Sequence, residues 1–195
     1  FPMLAALIAN DSCVLLENVG VNPTRAGVIT ILQQMGANIR LHNERRCGNE
    51  PVADIEVRSS ALHAIRLDPS LVPLAIDEFP ALFIAAACAR GTTEFTGLAE
   101  LRVKESDRLS AMADGLRVLG IAIEELPGGI RIEGGAFGSG TIDRRGDHRI
   151  AMAFAVAASR ARDTVRINDV SNVDTSFPGF VECLRTISVD ITPVA

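Results

Sequence analysis

Phe79-Pro80-Ala81-Leu82-Phe83-Ile84-Ala85-Ala86-Ala87-Cys88-Ala89 is the longest apolar run in the chain. It is too short to cross a bilayer and reads as a buried helix. Its Phe-Pro opening has a counterpart in Phe1-Pro2, which starts another apolar helix, and each of the two leads into a strand-like run, residues 13–16 and 92–98. In the first case Asn22-Pro23-Thr24-Arg25 then opens a second helix. Val28, Ile29, Leu32 and Met35 fall at helical spacing, and Gly36 supplies the stop. Strand-like runs 37–42 and 53–58 follow. In the second case residues 105–119 form the helix, Gly120 closes it, and runs 121–126 and 129–133 resemble a hairpin around Pro127-Gly128-Gly129. Gly36 and Gly120 are equivalent, 84 positions apart (120 − 36).

A third copy runs through a helix over 148–162, a strand over 164–169 and a helix over 177–187. It finishes at run 189–192 and lacks its last strand, which an upstream segment would supply. The reading is one α/β domain over 1–195 with pseudo-threefold symmetry, built of helix-strand-helix-strand-strand repeats at about 1–60, 61–135 and 136–195. Ala85-Ala86-Ala87 and the alanines of 151–158 suit closely packed buried helices.

Hydrophobic residues are 48% and charged residues 22%, which argues for a globular chain. A net charge of -5 excludes a global basic surface for nucleic acid. Cys13, Cys47, Cys88 and Cys183 include no Cys-x-x-Cys pair. The apolar neighbours of Cys13, Cys88 and Cys183 suggest reduced core thiols, and hence the cytoplasm. Three histidines and no metal-ligand spacing leave no metal site to expect. The chain starts at Phe1, already helical in character and without the basic region of a signal peptide, so it reads as a piece whose upstream part is missing.

The chemistry concentrates in Leu101-Arg102-Val103-Lys104-Glu105-Ser106-Asp107-Arg108-Leu109, where five of nine side chains are charged between apolar segments. A site that grips a polyanion and moves protons needs such groups; an exposed salt-bridged turn is the plainer alternative. Lys104 and Arg108 are i,i+4 and Glu105 and Arg108 i,i+3, so on a helix start they share one side. Asp77, just before Phe79-Pro80, suits a helix N-cap. Asp147 reads as the N-cap of the next helix, Arg149 as a planar fork for carboxylate or phosphate, and His148 as a neighbour of the site or equally a hydrogen-bonded structural residue. All lie at expected helix N-termini, which would form one anion-attracting face if the symmetry aligns them. Arg25 reads as an ordinary surface residue. Residues 134–140, rich in glycine, have no Walker or Rossmann pattern and read as turns and a flexible connection.

Asp77-Glu78-Phe79-Pro80, residues 102–109 and Gly146-Asp147-His148-Arg149 resemble the C-terminal half of the EPSP (5-enolpyruvylshikimate-3-phosphate) synthase family, over nearly the whole chain. Lys104-Glu105-Ser106-Asp107-Arg108-Leu109 and Thr175-Ser176-Phe177-Pro178 are similar to the second subgroup; Thr175 stands where many members carry Lys. The resemblance implies an inside-out α/β barrel, with helices inside and sheets outside. It implies transfer of the enolpyruvyl group of phosphoenolpyruvate (PEP) to the 5-hydroxyl of shikimate 3-phosphate in the shikimate pathway, without cofactor or metal. Asp77 would orient and deprotonate the hydroxyl, and Glu105 would exchange protons with the PEP methylene. Lys104 would stand near the reacting centre, and Arg108 and Arg149 would grip PEP. The implied partners are the two substrates and an absent N-terminal domain, with no nucleic acid and no membrane, so the chain alone would be inactive. The sister family that uses UDP-N-acetylglucosamine lacks the charged signature, and a bare anion-binding domain is the non-enzymatic alternative.

Overall fold

The computed structural model describes residues 1–192. Three helices, α1 (Pro2–Ile8), α3 (Phe79–Cys88) and α5 (His148–Ala158), pack against one another at the centre. A helix that is apolar all round must be buried, and Leu82 to Ala87 of α3 have no exposed surface at all. Phe79, Phe83 and Phe95 meet edge-on or tilted with ring centroids 5.6–5.8 Å apart and fill the space beside the small alanines.

The sheets lie outside. Strands β1 (Cys13–Gly20), β2 (Asn38–Cys47) and β3 (Glu50–Arg58) form an antiparallel sheet in the order β1-β3-β2. Strands β4 (Thr92–Thr96), β5 (Ile123–Leu126) and β6 (Gly129–Glu133) repeat it as β4-β6-β5. The linking helices, α2 (Gly27–Gln34) and α4 (Arg108–Val118), end alike. Gly36 and Gly120 take φ of +90° and +83°. In each case the glycine N–H and the next one bond back to the last turn, Gly36 to Gln33 O and Ala37 to Leu32 O, Gly120 to Arg117 O and Ile121 to Leu116 O. The first two copies thus follow the expected order.

Asp54 locks the first sheet where both of its outer strands slip register. Its Oδ1 accepts the Asn18 N–H at 2.9 Å and Arg45 Nη2 at 3.0 Å, and its Oδ2 accepts Asn43 Nδ2 at 2.8 Å. Asn18 and Asn43 adopt the left-handed φ that asparagine tolerates. The Asn18 N–H above all, then Asn43 and Arg45, hold the Asp54 carboxyl at about 2.

The third copy departs from expectation. Its strand is only β8 (Val165–Ile167), paired in parallel with β7 (Gly140–Ile142), which precedes α5. The helix expected over 177–187 is shortened to α7 (Phe180–Thr186), which starts after Pro178 and a left-handed Gly179, and an unexpected short helix, α6 (Val173–Ser176), precedes it. Residues 189–192 form no strand. The connection over 134–139, expected to be flexible, is packed. Gly134 N–H bonds to Gly91 O, Gly135 N–H to Ala87 O and Gly138 N–H to Leu119 O, and Phe137 is buried. Any Cβ on Gly134 would overlap the Ala89 carbonyl oxygen, so glycine is required there. The thiols also differ: all four are free, but Cys13 is exposed, because strand alternation puts it on the outer face with Leu15 and Glu17, and Cys88 and Cys183 are only partly buried.

Candidate active site

Helix α4 begins at Arg108, not at residue 105. Asp107 fixes the start, its Oδ1 accepting the Ser110 N–H at 2.9 Å. Lys104 and Glu105 therefore lie in the loop between a 3-10 segment, Ala99–Val103, and α4. What gathers the charged run is Arg108 reaching inward, with its side chain only 1% exposed.

Three carboxylates hold that guanidinium. Nε donates to Asp147 Oδ2 at 2.8 Å, Nη1 to Asp77 Oδ1 at 3.1 Å, and Nη2 to Glu105 Oε2. Burial opposes the Arg108 charge, yet Asp147, Glu105 and Asp77 outweigh it and strengthen the cation. Asp147, fully buried, also caps α5 as expected: its Oδ1 accepts the Arg149 N–H at 2.8 Å, while Oδ2 takes the Ser106 hydroxyl at 3.3 Å.

Asp77 is the meeting point. It lies in a 3-10 turn, Ile76–Glu78, just ahead of α3, and its carboxylate caps no helix. Besides Arg108, Lys104 Nζ stands 3.8 Å from Oδ1 and Arg149 Nη2 3.8 Å from Oδ2, while Arg149 Nη1 donates to the Asp77 carbonyl at 3.0 Å. Burial pushes the Asp77 carboxyl up, but Arg149, Arg108 and Lys104 together win and bring it below the usual carboxylate range. Its neighbour Glu78 goes the other way: burial raises its carboxyl above the usual range, against the pull of Arg149.

The structure brings all five nominated residues, Asp77, Lys104, Glu105, Arg108 and Arg149, into one cluster. Asp77, Glu105, Lys104 and Arg149 present partly exposed side chains. Arg108 lies beneath them; an anion would reach it only by displacing Asp77 or Glu105 from its outer nitrogens. Phe1, at the head of α1, is within electrostatic reach of Glu78 and Arg149, so the N-termini of α1, α3 and α5 face the same way. His148 is partly buried beside Arg149. Arg25 is exposed within electrostatic reach of Glu78. Thr175 is exposed on α6, its hydroxyl spent on Asn172 O at 2.7 Å. Sequence reading missed Glu100, whose Oε1 lies 2.6 Å from Lys104 Nζ; the two belong to a short 3-10 segment and its end, which no periodicity marks. Among the described residues no group of three or more His, Cys, Asp or Glu is placed to hold a metal ion, and no helix is long and apolar enough to cross a membrane.

This arrangement can bind anions through Lys104 and Arg149 while two carboxylates stand ready to exchange protons. The sequence model of the family described as EPSP synthase (3-phosphoshikimate 1-carboxyvinyltransferase) matches residues 1–184. The 3-phosphoshikimate 1-carboxyvinyltransferase of Methylococcus capsulatus is 57% identical over 191 residues, 98% of this chain and 44% of that protein. The one from Legionella pneumophila strain Lens is 56% identical over the same shares. The chain thus spans less than half the length of these curated relatives. Among solved structures, EPSP synthase from Acinetobacter baumannii superposes with a TM-score of 0.95 at 49% identity, covering 97% of this chain and 45% of that one. The enolpyruvyl transferase NikO from Streptomyces tendae shares the fold, with a TM-score of 0.75 at 20% identity over 97% of this chain and 42% of its own.

Proposed function

Because the chain belongs to the EPSP synthase family, we propose that it is the C-terminal domain, over residues 1–195, of a two-domain enzyme. Completed by its other half, that enzyme transfers the enolpyruvyl group of PEP to the 5-hydroxyl of shikimate 3-phosphate. The observation that carries this reading is the convergence of Lys104, Arg108 and Arg149 on the one carboxylate of Asp77, with Glu105 alongside.

The substrate hydroxyl oxygen adds to the central carbon of PEP, its proton passes to Asp77, and the PEP methylene takes a proton from the Glu105 side. The tetrahedral adduct then loses phosphate, which carries off the proton held by Asp77, and the methyl group returns a proton to the Glu105 side as the enol ether forms. With its carboxyl held below the usual range, Asp77 is ionised at neutral pH and free to accept a proton, though as a weak base. Substrate anions that draw Lys104 and Arg149 to themselves would relieve this and make Asp77 more basic when the hydroxyl is in place. Arg108 acts mainly as a strut for both carboxylates, and Arg149 and Lys104 take the incoming charge. The free thiols Cys13, Cys47, Cys88 and Cys183 agree with a reducing compartment, the cytoplasm.

The test joins this chain to the upstream half of the Methylococcus capsulatus relative. Asp77→Asn and Glu105→Gln should each lower kcat by about 10²- to 10⁴-fold. Full activity in either variant would remove that residue from its role.

A further inference from the structure

Lys104 is the only lysine in the chain; the other 18 of its 19 basic residues (19 − 1) are arginines. An arginine keeps its proton at any working pH, whereas an ammonium can lose one. This one lysine ammonium stands between two carboxylates, 2.6 Å from Glu100 Oε1 and 3.8 Å from Asp77 Oδ1. Glu100 sits in the first turn of the 3-10 segment Ala99–Val103, and Lys104, extended, follows its end, so the pair meets across the close of that segment. The segment is well fixed. Leu101 is fully buried, the Leu98 N–H bonds to Gly128 O at 2.9 Å, and Arg102 donates to Asp107 Oδ2 at 2.9 Å.

We propose that Glu100 is a positioning residue of this site: it holds the Lys104 ammonium off Asp77, and so governs both the basicity of Asp77 and the pH range over which the site keeps its cation. This rests on the roles given above to Lys104 and Asp77. The groups facing Lys104 are Glu100, Asp77 and Arg108; those facing Asp77 are Arg149, Arg108, Lys104 and Glu78. The hydrogen bond to Glu100 is the largest influence on Lys104 and raises its titration above the usual lysine range; burial and Arg108 oppose this, and Asp77 adds to it. Neutralising Glu100 removes the nearest anion, so Lys104 titrates at lower pH. The freed ammonium then moves toward Asp77 and lowers that carboxyl further.

With one lysine, the 195-residue chain labelled with carbon-13 at lysine Cε gives a single side-chain signal to titrate by NMR. Glu100→Gln should move its midpoint to lower pH, and by more than Asp77→Asn does. An unmoved midpoint in E100Q, or a larger fall in D77N, overturns the proposal. In the enzyme completed with the upstream half, E100Q should shift both limbs of the kcat/KM profile to lower pH, and Glu100→Asp should restore most of the alkaline limb. A lowered rate with an unshifted profile would make Glu100 merely structural and also overturn it. If the completed wild-type enzyme fails to turn over PEP and shikimate 3-phosphate, the functional reading falls, while the NMR titration still decides the Glu100–Lys104 relation.

Discussion

Arg108 shows how one side chain organises the site. Its guanidinium is almost wholly buried and stands against Asp147, which has no exposed surface. Removing one partner of such a pair leaves an uncompensated buried charge, so Arg108→Met should cost about 3–5 kcal/mol. The companion Asp147→Ser keeps an N-cap acceptor for the Arg149 N–H but carries no charge, and in the double variant part of the loss should return. Urea denaturation of the three variants measures this; a loss below about 1 kcal/mol in R108M would contradict it. The sequence nominated Asp77, Lys104, Glu105, Arg108 and Arg149, and the structure gathers them into one cluster, but their geometry was not legible. Glu105 meets Arg108, and Lys104 meets Asp77 beside it, because Arg108 folds back beneath a loop, not because the three share a helical face. Nothing local could distinguish Asp107 from Asp77 as a helix cap, since both precede helices; Asp77 is drawn away by three cations from elsewhere in the chain.

Among the elements, α4 crosses α5 with Gly115 facing the ring of Phe154; a Cβ there would overlap the ring. Glycine in a helix interior costs about 1 kcal/mol relative to alanine, so by helix propensity alone Gly115→Ala should stabilise. Overpacking a buried crossing costs about 1–3 kcal/mol, and we expect G115A to be the less stable protein. Phe154→Leu in that background should recover stability, giving a favourable coupling in the double-mutant cycle. A G115A protein more stable than wild type would show that the crossing can open. The first two copies could be read because their apolar helices open on Phe-Pro and the linking helices close on Gly36 and Gly120. The third could be read only in part: α5, β8 and α7 fall inside the expected spans, but β7, three residues at the end of a glycine-rich stretch, is too short to show a period. That stretch looked flexible because glycine marks both loose loops and close backbone contacts. Only the packed structure separates the two.

The whole molecule consists of helices α1, α3 and α5 wrapped by outer sheets, with the N-terminal ends of the helices turned to one face that carries the cluster. On that face, carboxylates and cations neutralise one another within about 4 Å, and Asp77 and Glu105 remain partly open. Curated relatives extend over more than twice this length, so we expect the chain by itself to bind anions without turnover. The most direct test is phosphate release from PEP by the chain joined to the upstream half of the Methylococcus capsulatus relative, offered shikimate 3-phosphate and UDP-N-acetylglucosamine in separate assays. Release with shikimate 3-phosphate alone, and none from the unjoined chain, is the predicted result. Release with the UDP-sugar alone, or with neither acceptor, would contradict it.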